Sequence, residues 1–321
     1  MYDRGLGVLE QYGLTAETVL RGRGALICQT EKGWKSIREY WGSPGRLEQQ
    51  RKIQKRCKET GFLLVDQVEE NLEGQVVTTG EDGIPYVVKE WFQGTECNTR
   101  SREDVLNSME AMAKLHTVMQ ADQDEDMPGA DLLEECRRHN RELRRTRKFV
   151  QKKKAKNPFE ERLAQSITVF LEAGERMVKE LEDSDYERFC KEHRQEVCHG
   201  DCNQHNIIFT REGIGFMNFD YWHCGPQTED LCLFMRKILE KHNWDPELGR
   251  RMAEQYNRKR SLSAEEWKHL KLCLSYPWRY WKLVNYYASN QKVWISRKNI
   301  EKIEQATALW QPWQRFLQSF C

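Results

Sequence analysis

The sequence predicts an α+β fold of two lobes, with a small antiparallel sheet in residues 1–93 and a larger helical part in residues 94–321. Polar and apolar residues alternate through residues 17–41 and are interrupted by glycines, as in short strands joined by tight turns. From Ser101 onward, apolar residues recur at three- and four-residue steps, the period of an amphipathic helix. A strand-rich beginning before a helix-rich remainder is typical of an α+β layout, and it places the boundary near Gly94.

The first part is predicted to contain several strands and one helix. Its early turns are marked by three glycines: Gly22, Gly24 and Gly33. A helix is expected to open at Ser43-Pro44, because proline is favoured in the first turn, and to end at Gly61. Its expected buried positions are Leu47, Ile53 and Cys57. Two further strands are expected at residues 74–79 and 84–92, with a glycine-containing turn between them.

The second part is predicted to be helical apart from a short strand-rich stretch at residues 198–219. The helix that follows Ser101 has one apolar face, made by Val105, Met109, Met112, Leu115 and Met119. Most of the tryptophans lie in the C-terminal third, where core packing between helices is the favoured interpretation and an acceptor pocket is the alternative.

Composition restricts the class of protein. Apolar residues make up 39% and charged residues 31% of the 321 residues, as in a globular and well-hydrated chain. The first residues do not resemble a signal peptide, and no apolar run is long enough to span a membrane, so a cytoplasmic protein is expected. The 11 cysteines contain no C-x-x-C pair, which favours reduced thiols. A net charge of +1 gives no indication of a nucleic-acid or membrane partner.

Residues 197–220, VCHGDCNQHNIIFTREGIGFMNFD, combine the groups that phosphoryl transfer requires. That reaction needs a carboxylate near the attacking hydroxyl and oxygen ligands for Mg²⁺ on the phosphates. Asp201 suits the first role, and Asn206, five residues later, can offer an amide oxygen to the metal. A hairpin with strands at residues 207–209 and 215–219 would return the chain and deliver Asp220 as a second metal ligand.

The same segment admits a zinc hypothesis. Two cysteines and two histidines lie close together in sequence: Cys198, His199, Cys202 and His205. Their C-x-x-x-C spacing is unusual for a zinc site, so the phosphoryl-transfer interpretation is favoured.

The H-G-D-x-x-x-x-N motif, together with Asp220, resembles the aminoglycoside phosphotransferase and choline kinase superfamily, whose members have a protein-kinase-like fold. Within that superfamily the rest of the chain resembles one branch, the CotS-type spore coat proteins. The stretches that carry this closer similarity are GRGALICQTEKG (22–33), YVVKEWFQGTEC (86–97), CHGDCNQHNI (198–207), RRHNRELRRTRKF (137–149), DLCLFMRKILEKHNWD (230–245) and YPWRYWKLVNYYASNQKVWISRKN (276–299).

The resemblance implies a kinase-type site that uses ATP and Mg²⁺ as cofactors. It assigns Asp201 the role of general base and makes Asn206 and Asp220 the metal ligands, within a catalytic loop at residues 199–206. His199 and Asp230 would support this loop and the helix that follows it.

The resemblance also implies how the nucleotide is held. The strand end Glu90-Trp91-Phe92 would be the hinge whose backbone reads the adenine edge. Gly22 and Gly24 would mark the turn that covers the phosphates, although a full glycine-rich loop is absent.

The sequence departs from the family pattern where a lysine on the third strand normally holds the phosphates. Arg38 occupies that position, and Lys35 is expected to point the opposite way or to lie at the strand start. Arginine is longer and forked, so it is not a neutral replacement. Its helix partner is Glu48 or Gln50, and the sequence does not decide between them.

Two functional classes therefore remain open. One is an ATP- and Mg²⁺-dependent phosphotransferase acting on an unidentified hydroxyl or amine acceptor, either a small molecule or a protein. The other is a catalytically impaired kinase-fold protein, a structural or scaffold component of the bacterial spore coat. The resemblance would place either one in the mother-cell cytoplasm and then on the coat, with other coat proteins as partners.

Residues 137–156 form a strongly basic stretch in which Glu142 is the single acid. It has two interpretations, a surface for an anionic substrate or acidic coat partner, or an ordinary helix with one solvated face.

Overall fold

The structure is a computed structural model that describes residues 5–320 except for 23, 63, 122–128, 130 and 291–295. The chain divides into two compact units. The first unit comprises Met1–Asp126 and Glu196–His223, and the second comprises Met127–Gln195 and Cys224–Cys321. The predicted lobe boundary near Gly94 stays a prediction.

The first unit contains the predicted antiparallel sheet, two helices and the segment with the H-G-D motif. Its strands are β1 (Ala16–Gly22), β2 (Ala25–Thr30), β3 (Gly33–Glu39), β4 (Thr78–Thr79), β5 (Pro85–Glu90), β6 (Thr95–Glu96), β7 (Val197–Cys198), β8 (Ile207–Phe209) and β9 (Ile214–Phe216). Its helices are α1 (Pro44–Glu59), α2 (Arg102–Val118) and two 3₁₀ helices, Leu6–Tyr12 and Phe219–Tyr221. A short strand, β10 (His223–Cys224), lies where the two units divide.

The main sheet has the order β1-β2-β3-β5-β4, and its neighbouring strands are antiparallel. One face packs on the first 3₁₀ helix through an apolar cluster that includes Val8, Ile37 and Val88. The other face packs on α1 through a second cluster that includes Leu47 and Val87. Because β3 and β5 are direct neighbours, side chains of the two strands lie side by side on each face.

The sequence predictions for α1 and α2 are confirmed. Helix α1 begins at Pro44 and is followed by Gly61, whose φ of +95° is a left-handed conformation that favours glycine. Its predicted core positions are buried: Leu47, Ile53 and Cys57. Helix α2 is capped by Ser101, whose side chain accepts a hydrogen bond from the Asp104 N–H at 3.1 Å. Its predicted apolar face is also buried: Val105, Met109, Met112, Leu115 and Met119.

A small second sheet carries the hairpin that was predicted after the H-G-D motif. It has the order β6-β8-β9, and β8 and β9 pair in antiparallel register. The hairpin lies against the segment that follows α1, because the Phe216 N–H donates to the Leu64 carbonyl at 2.9 Å. β9 ends at Phe216, three residues earlier than the sequence predicted, since Asn218 leaves the extended conformation with a φ of 65°.

The second unit is helical. Its helices are α3 (Leu132–Lys152), α4 (Pro158–Glu182), α5 (Tyr186–Glu192), α6 (Thr228–Leu239), α7 (Pro246–Asn257), α8 (Ala264–Leu274), α9 (Trp278–Ser289), α10 (Arg297–Ala308) and α11 (Trp310–Ser319). Among the residues that the structure describes, none of the helices combines the length and apolar character that crossing a membrane requires.

Aromatic side chains fill the core of the second unit. The rings of Phe170 and Tyr280 stack with centroids 3.9 Å apart, and the indole N–H of Trp313 donates to the Leu274 carbonyl at 3.0 Å. These contacts agree with the core interpretation of the C-terminal aromatic residues. Trp294, another tryptophan of that group, lies outside the described residues.

The basic stretch forms α3 and its C-terminal continuation. Along the helix, several arginines lie against acids: Arg137 contacts Glu182 at 2.9 Å, and Arg144 contacts Glu175 at 2.7 Å. The opposite face carries buried positions such as Leu143. These features favour the interpretation of a helix with one packed and one solvated face.

Candidate active site

The H-G-D motif forms a loop whose histidine is fully buried and fixed on both sides. His199 Nε2 lies 2.9 Å from the Met217 carbonyl oxygen, and its Nδ1 lies 3.2 Å from the Asp201 backbone nitrogen. Since a backbone N–H can only donate and a carbonyl can only accept, His199 is a neutral tautomer with its proton on Nε2. The imidazole thereby links the start of the loop to the strand that leads to Asp220.

Gly200 is required by the local geometry of this loop. Its φ is +78°, and a Cβ atom at this position would lie 2.0 Å from the carbonyl oxygen of Tyr221. No larger residue fits without moving the backbone. The glycine of the motif therefore allows the loop to approach the 3₁₀ helix that contains Asp220.

Asp201 and Asn206, the predicted base and metal ligand, are in direct contact. Asn206 Nδ2 donates to the Asp201 carboxylate Oδ2 at 2.9 Å and to the Asp201 backbone oxygen at 2.8 Å. Asp201 is half-buried, so its carboxylate is oriented by the asparagine and still partly open to solvent. This arrangement holds the carboxylate in one direction, as an acceptor for a proton requires.

Asn218 connects Asn206 to the segment that contains Asp220. No role was predicted for Asn218 from the sequence. Its side-chain Nδ2 donates to Asn206 Oδ1 at 2.7 Å. Its own backbone is left-handed, with a φ of 65°, a conformation that asparagine tolerates better than most residues. The resulting bend brings Asp220 into the 3₁₀ helix directly after β9.

Asp66 anchors this bend, and it too was missed. Its side chain is buried, and it accepts hydrogen bonds from the Asn218 N–H at 2.7 Å and from Gln54 Nε2 at 3.1 Å. Burial raises the pKa of Asp66 to about 7, although the nearby Lys89 ammonium acts in the opposite direction. An acid at the end of the apolar run FLLVD was the sequence signal for a buried carboxyl.

Asp220 lies between two cations of the main sheet. Arg38 Nη1 is 3.5 Å from Asp220 Oδ2, and Lys89 Nζ forms an ion pair with Asp220 Oδ1. Arg38 is opposite Val87 in the sheet and Lys89 is opposite Ser36, so both cations project from the same face. Lys89 was missed, and its signal was a lysine inside the apolar strand PYVVKE.

The ion pairs determine the charge of Asp220. Partial removal from water alone would raise the pKa of this carboxyl, but Lys89 and Arg38 outweigh that effect and hold the pKa below its usual value. Asp220 is therefore an anion at neutral pH, as a metal ligand must be.

The other residues considered for the phosphate-binding position, on β3 and α1, lie as follows. Lys35 projects from the opposite face to Arg38, as expected, and forms an ion pair with Glu69. Gln50 is 2% exposed, and its Nε2 has no hydrogen-bond partner among the residues that the structure describes. Glu48 is half-exposed on α1. Of the two helix candidates, Gln50 is the buried one, and neither takes the place of Asp220 as the partner of Arg38.

A cavity of about 430 Å³ joins Arg38 to the glycine turn between β1 and β2. Gly22, Gly24 and Arg38 all contribute to its lining. Gly24 has a φ of +73°, and no atom lies within 4 Å of the position a Cβ would take. The turn and the arginine that the sequence assigned to the nucleotide phosphates therefore border one cavity.

The predicted hinge residues are partly engaged within the sheet. The Glu90 N–H donates to the Gln67 carbonyl and the Trp91 N–H donates to the Trp34 carbonyl, both at 2.8 Å. Glu90 also forms an ion pair with Lys58. Strand β5 ends at Glu90, so Trp91 and Phe92 follow it as a connecting segment.

The zinc hypothesis does not fit this geometry. Both ring nitrogens of His199 are engaged, by the Met217 carbonyl and the Asp201 N–H, and His205 Nδ1 contacts Glu96.

Asp230 lies in the first turn of α6, in the second unit, and is 1% exposed. Its supporting role stays a prediction.

The donor chemistry at Asp220 and Asn206 fits a magnesium ion. A carboxylate and an amide oxygen are hard ligands of the type that Mg²⁺ prefers. Asn206 and Asp220 are linked through Asn218, which contacts Asn206 directly and precedes Asp220 by two residues.

Comparison with known proteins identifies the relatives of this chain. Residues 64–272 match the model of the phosphotransferase enzyme family. None of the curated protein sequences matches the chain. The prediction of this superfamily from the H-G-D motif is confirmed, and the closer similarity to CotS-type proteins stays a prediction.

Solved structures show the same fold. An aminoglycoside phosphotransferase from Alicyclobacillus acidocaldarius has a TM-score of 0.86 and 17% identity, over 100% of this chain and 95% of that one. A spectinomycin phosphotransferase in complex with ADP and spectinomycin has a TM-score of 0.64 and 10% identity, over 94% and 92% of the two chains. A choline kinase from Streptococcus pneumoniae has a TM-score of 0.55 and 11% identity, over 94% and 95%.

These neighbours confirm the predicted α+β, protein-kinase-like fold, with an antiparallel sheet in the N-terminal part and helices in the C-terminal part. The family match spans well over half of the sequence and includes the H-G-D loop and Asp220. The chain belongs to the phosphotransferase enzyme family.

Proposed function

We propose that the protein transfers the γ-phosphoryl group of ATP, with Mg²⁺, to a hydroxyl or amine acceptor. The observation that carries this proposal is the network formed by Asp201, Asn206, Asn218 and Asp220, with Arg38 and Lys89 beside it. A carboxylate, two oxygen ligands and two cations are the groups that phosphoryl transfer uses.

Asp201 is the proposed base. The acceptor oxygen or nitrogen forms a bond to the γ-phosphorus, the bond from that phosphorus to the bridging oxygen of ADP breaks, and the acceptor proton passes to the Asp201 carboxylate. Asn206 holds this carboxylate through Oδ2 and so orients it before the acceptor arrives. The loop glycine and the neutral His199 fix the backbone that carries Asp201.

Asn206 Oδ1 and the Asp220 carboxylate are the proposed holders of the metal. When bound there, Mg²⁺ would neutralise charge on the phosphate oxygens and orient the γ-phosphoryl group. The carboxylate of Asp220 suits this role because its pKa is held low by the neighbouring cations.

Arg38 is proposed to bind nucleotide phosphates in place of the usual lysine. It borders the same cavity as Gly22 and Gly24, so phosphate oxygens could reach its guanidinium under the glycine turn. Glu48 and the hinge Glu90-Trp91-Phe92 are proposed to complete the nucleotide site. Because the Trp91 N–H is engaged by Trp34, we expect hinge groups other than this amide to read the adenine edge.

The acceptor is proposed to be a small polar molecule, with a protein acceptor as the alternative. Structural neighbours include proteins described as spectinomycin phosphotransferase, amicoumacin kinase and choline kinase, which supports a small acceptor with hydroxyl or amine groups.

The second candidate is a catalytically impaired member of the fold that serves as a structural component of the bacterial spore coat, made in the mother-cell cytoplasm and bound to other coat proteins. Three observations favour it. Arginine replaces the usual phosphate-binding lysine, both oxygens of Asp220 face cations of the chain, and the Trp91 amide is engaged in the sheet. These features would make nucleotide binding weaker without changing the fold.

An assay of phosphate transfer to water separates the two candidates. Purified protein is incubated with ATP and Mg²⁺, and the release of inorganic phosphate is compared between the wild type and Arg38→Lys. We expect slow release by the wild type and a KM for ATP about tenfold higher in Arg38→Lys, since the forked guanidinium offers more charge-assisted hydrogen bonds than an ammonium. Lys35→Arg, on the opposite face of β3, is the control and should match the wild type.

An inactive wild type with an active Arg38→Lys variant would instead support the scaffold candidate, because it would reveal a kinase whose activity has lapsed. Inactivity of both proteins with water as the acceptor, together with no measurable binding of ATP to the wild type, would also contradict the phosphotransferase proposal.

A further inference from the structure

Lys89 is a buried lysine that the family pattern does not assign. It lies on β5, next to the strand that carries Arg38, and its side chain is 4% exposed. A buried ammonium is stable only with a partner, because removal from water is costly for a charged group. Its partner is Asp220, the proposed metal ligand.

The ligand oxygens of the proposed metal site are already in contact with donors of this chain. Lys89 contacts Asp220 Oδ1, and Arg38 Nη1 lies 3.5 Å from Oδ2. The third oxygen, Asn206 Oδ1, accepts from Asn218. A metal ion that binds to Asp220 must therefore displace Lys89 or share the carboxylate with it.

Displacement leaves the lysine without its anion. Asp66 is a second acid near Lys89, but its carboxyl is already bonded to Asn218 and Gln54. A nucleoside triphosphate would bring new anionic oxygens to the surroundings of the Lys89 ammonium. The cost of releasing Lys89 from Asp220 is then offset only when metal and nucleotide bind together.

We propose that Lys89 is the resident counter-ion of Asp220, that a divalent cation displaces it, and that nucleotide phosphate then takes over the released ammonium. The inference rests on the proposed function, because it concerns the same metal ligand. Metal binding and nucleotide binding are then cooperative. Each ligand removes part of the free-energy cost of separating Lys89 from Asp220, which the other ligand would otherwise bear alone. The chain thus excludes free metal and accepts the metal–nucleotide complex.

The test measures Mn²⁺ binding by the loss of the free-ion electron paramagnetic resonance signal, first without nucleotide. Lys89→Met leaves Asp220 without its buried counter-ion, so we expect Mn²⁺ to bind about tenfold more tightly than to the wild type. Lys35→Met is the matched control: it removes another buried lysine, on the neighbouring strand and paired with Glu69, and Mn²⁺ affinity should not change. Lys89→Gln is a second variant should the methionine variant not fold.

The second half of the test adds a non-hydrolysable ATP analogue. In the wild type the analogue should tighten Mn²⁺ binding about tenfold or more, and in Lys89→Met this enhancement should largely disappear. Equal Mn²⁺ affinity in the wild type and the Lys89 variants would overturn the inference even if the protein is an active phosphotransferase. Failure of the wild type to bind the analogue, even with tighter Mn²⁺ binding in the Lys89 variants, would overturn both the cooperativity and the proposed function.

Discussion

Asp201→Asn is expected to slow phosphoryl transfer by about 10²–10⁴-fold while nucleotide binding is retained. The substitution removes the only group proposed to accept the proton from the acceptor. An asparagine oxygen can still accept the hydrogen bond from Asn206 Nδ2 that the Asp201 carboxylate receives at 2.9 Å, so the loop should keep its conformation. The measurement is the rate of phosphate release or transfer, together with the Kd for ATP.

The control for this prediction is Glu212→Gln, which neutralises an exposed acid in the turn between β8 and β9. It should leave the transfer rate unchanged. An Asp201→Asn protein that binds ATP and transfers phosphate at the wild-type rate would show that Asp201 is not the base.

Gly200→Ala is expected to reduce the free energy of unfolding by at least about 2 kcal/mol, and to abolish transfer, because it combines backbone strain with a steric clash. The φ of Gly200 is +78°, and the added Cβ would lie 2.0 Å from the Tyr221 carbonyl oxygen. Backbone must move to relieve this contact, and the backbone concerned carries both Asp201 and Asp220. Urea unfolding followed by circular dichroism measures the change.

Gly33→Ala separates the two causes. Gly33 has a similar φ of +91°, but no atom lies within 4 Å of its Cβ position. It should therefore lose about 1–2 kcal/mol from backbone strain alone. A Gly200→Ala protein no less stable than Gly33→Ala would contradict the close approach of the loop to Tyr221.

Local patterns predicted much of the fold. The core positions of α1 and α2 followed from helical periodicity, because three- and four-residue steps depend only on neighbours along the chain. The order of Asp201, Asn206, hairpin and Asp220 was readable because these groups lie within one short segment. The opposite directions of Lys35 and Arg38 followed from the alternation of side chains along a strand.

The residues that were missed depend on contacts between distant parts of the chain. Lys89 reaches Asp220 only because β5 lies beside β3, and that register is set by tertiary packing. Asp66 matters because it holds the Asn218 backbone from another part of the sequence. A single sequence carries signals for such residues, an acid or lysine within an apolar run, but it does not name their partners.

The basic stretch at residues 137–156 shows that the surface charge of a folded helix cannot be read from the sequence alone. Arg144 looks unopposed when read along the chain, because the acid it contacts, Glu175, lies on α4, and Arg137 likewise gains Glu182 of α4. The charge of a helical face depends on what packs beside it. The folded surface is accordingly less basic than the sequence alone indicates.

We expect this chain to retain a working site for a metal–nucleotide complex, in which Arg38 and Lys89 provide the cations. The most direct test is to follow the thermal unfolding of the wild type during titration with ATP, in the presence and absence of Mg²⁺. ATP should give a Mg²⁺-dependent stabilisation that reaches about 2.7 kcal/mol when its concentration is about 100 times its Kd. An unfolding transition that stays unchanged at millimolar ATP, with and without Mg²⁺, would contradict the presence of such a site.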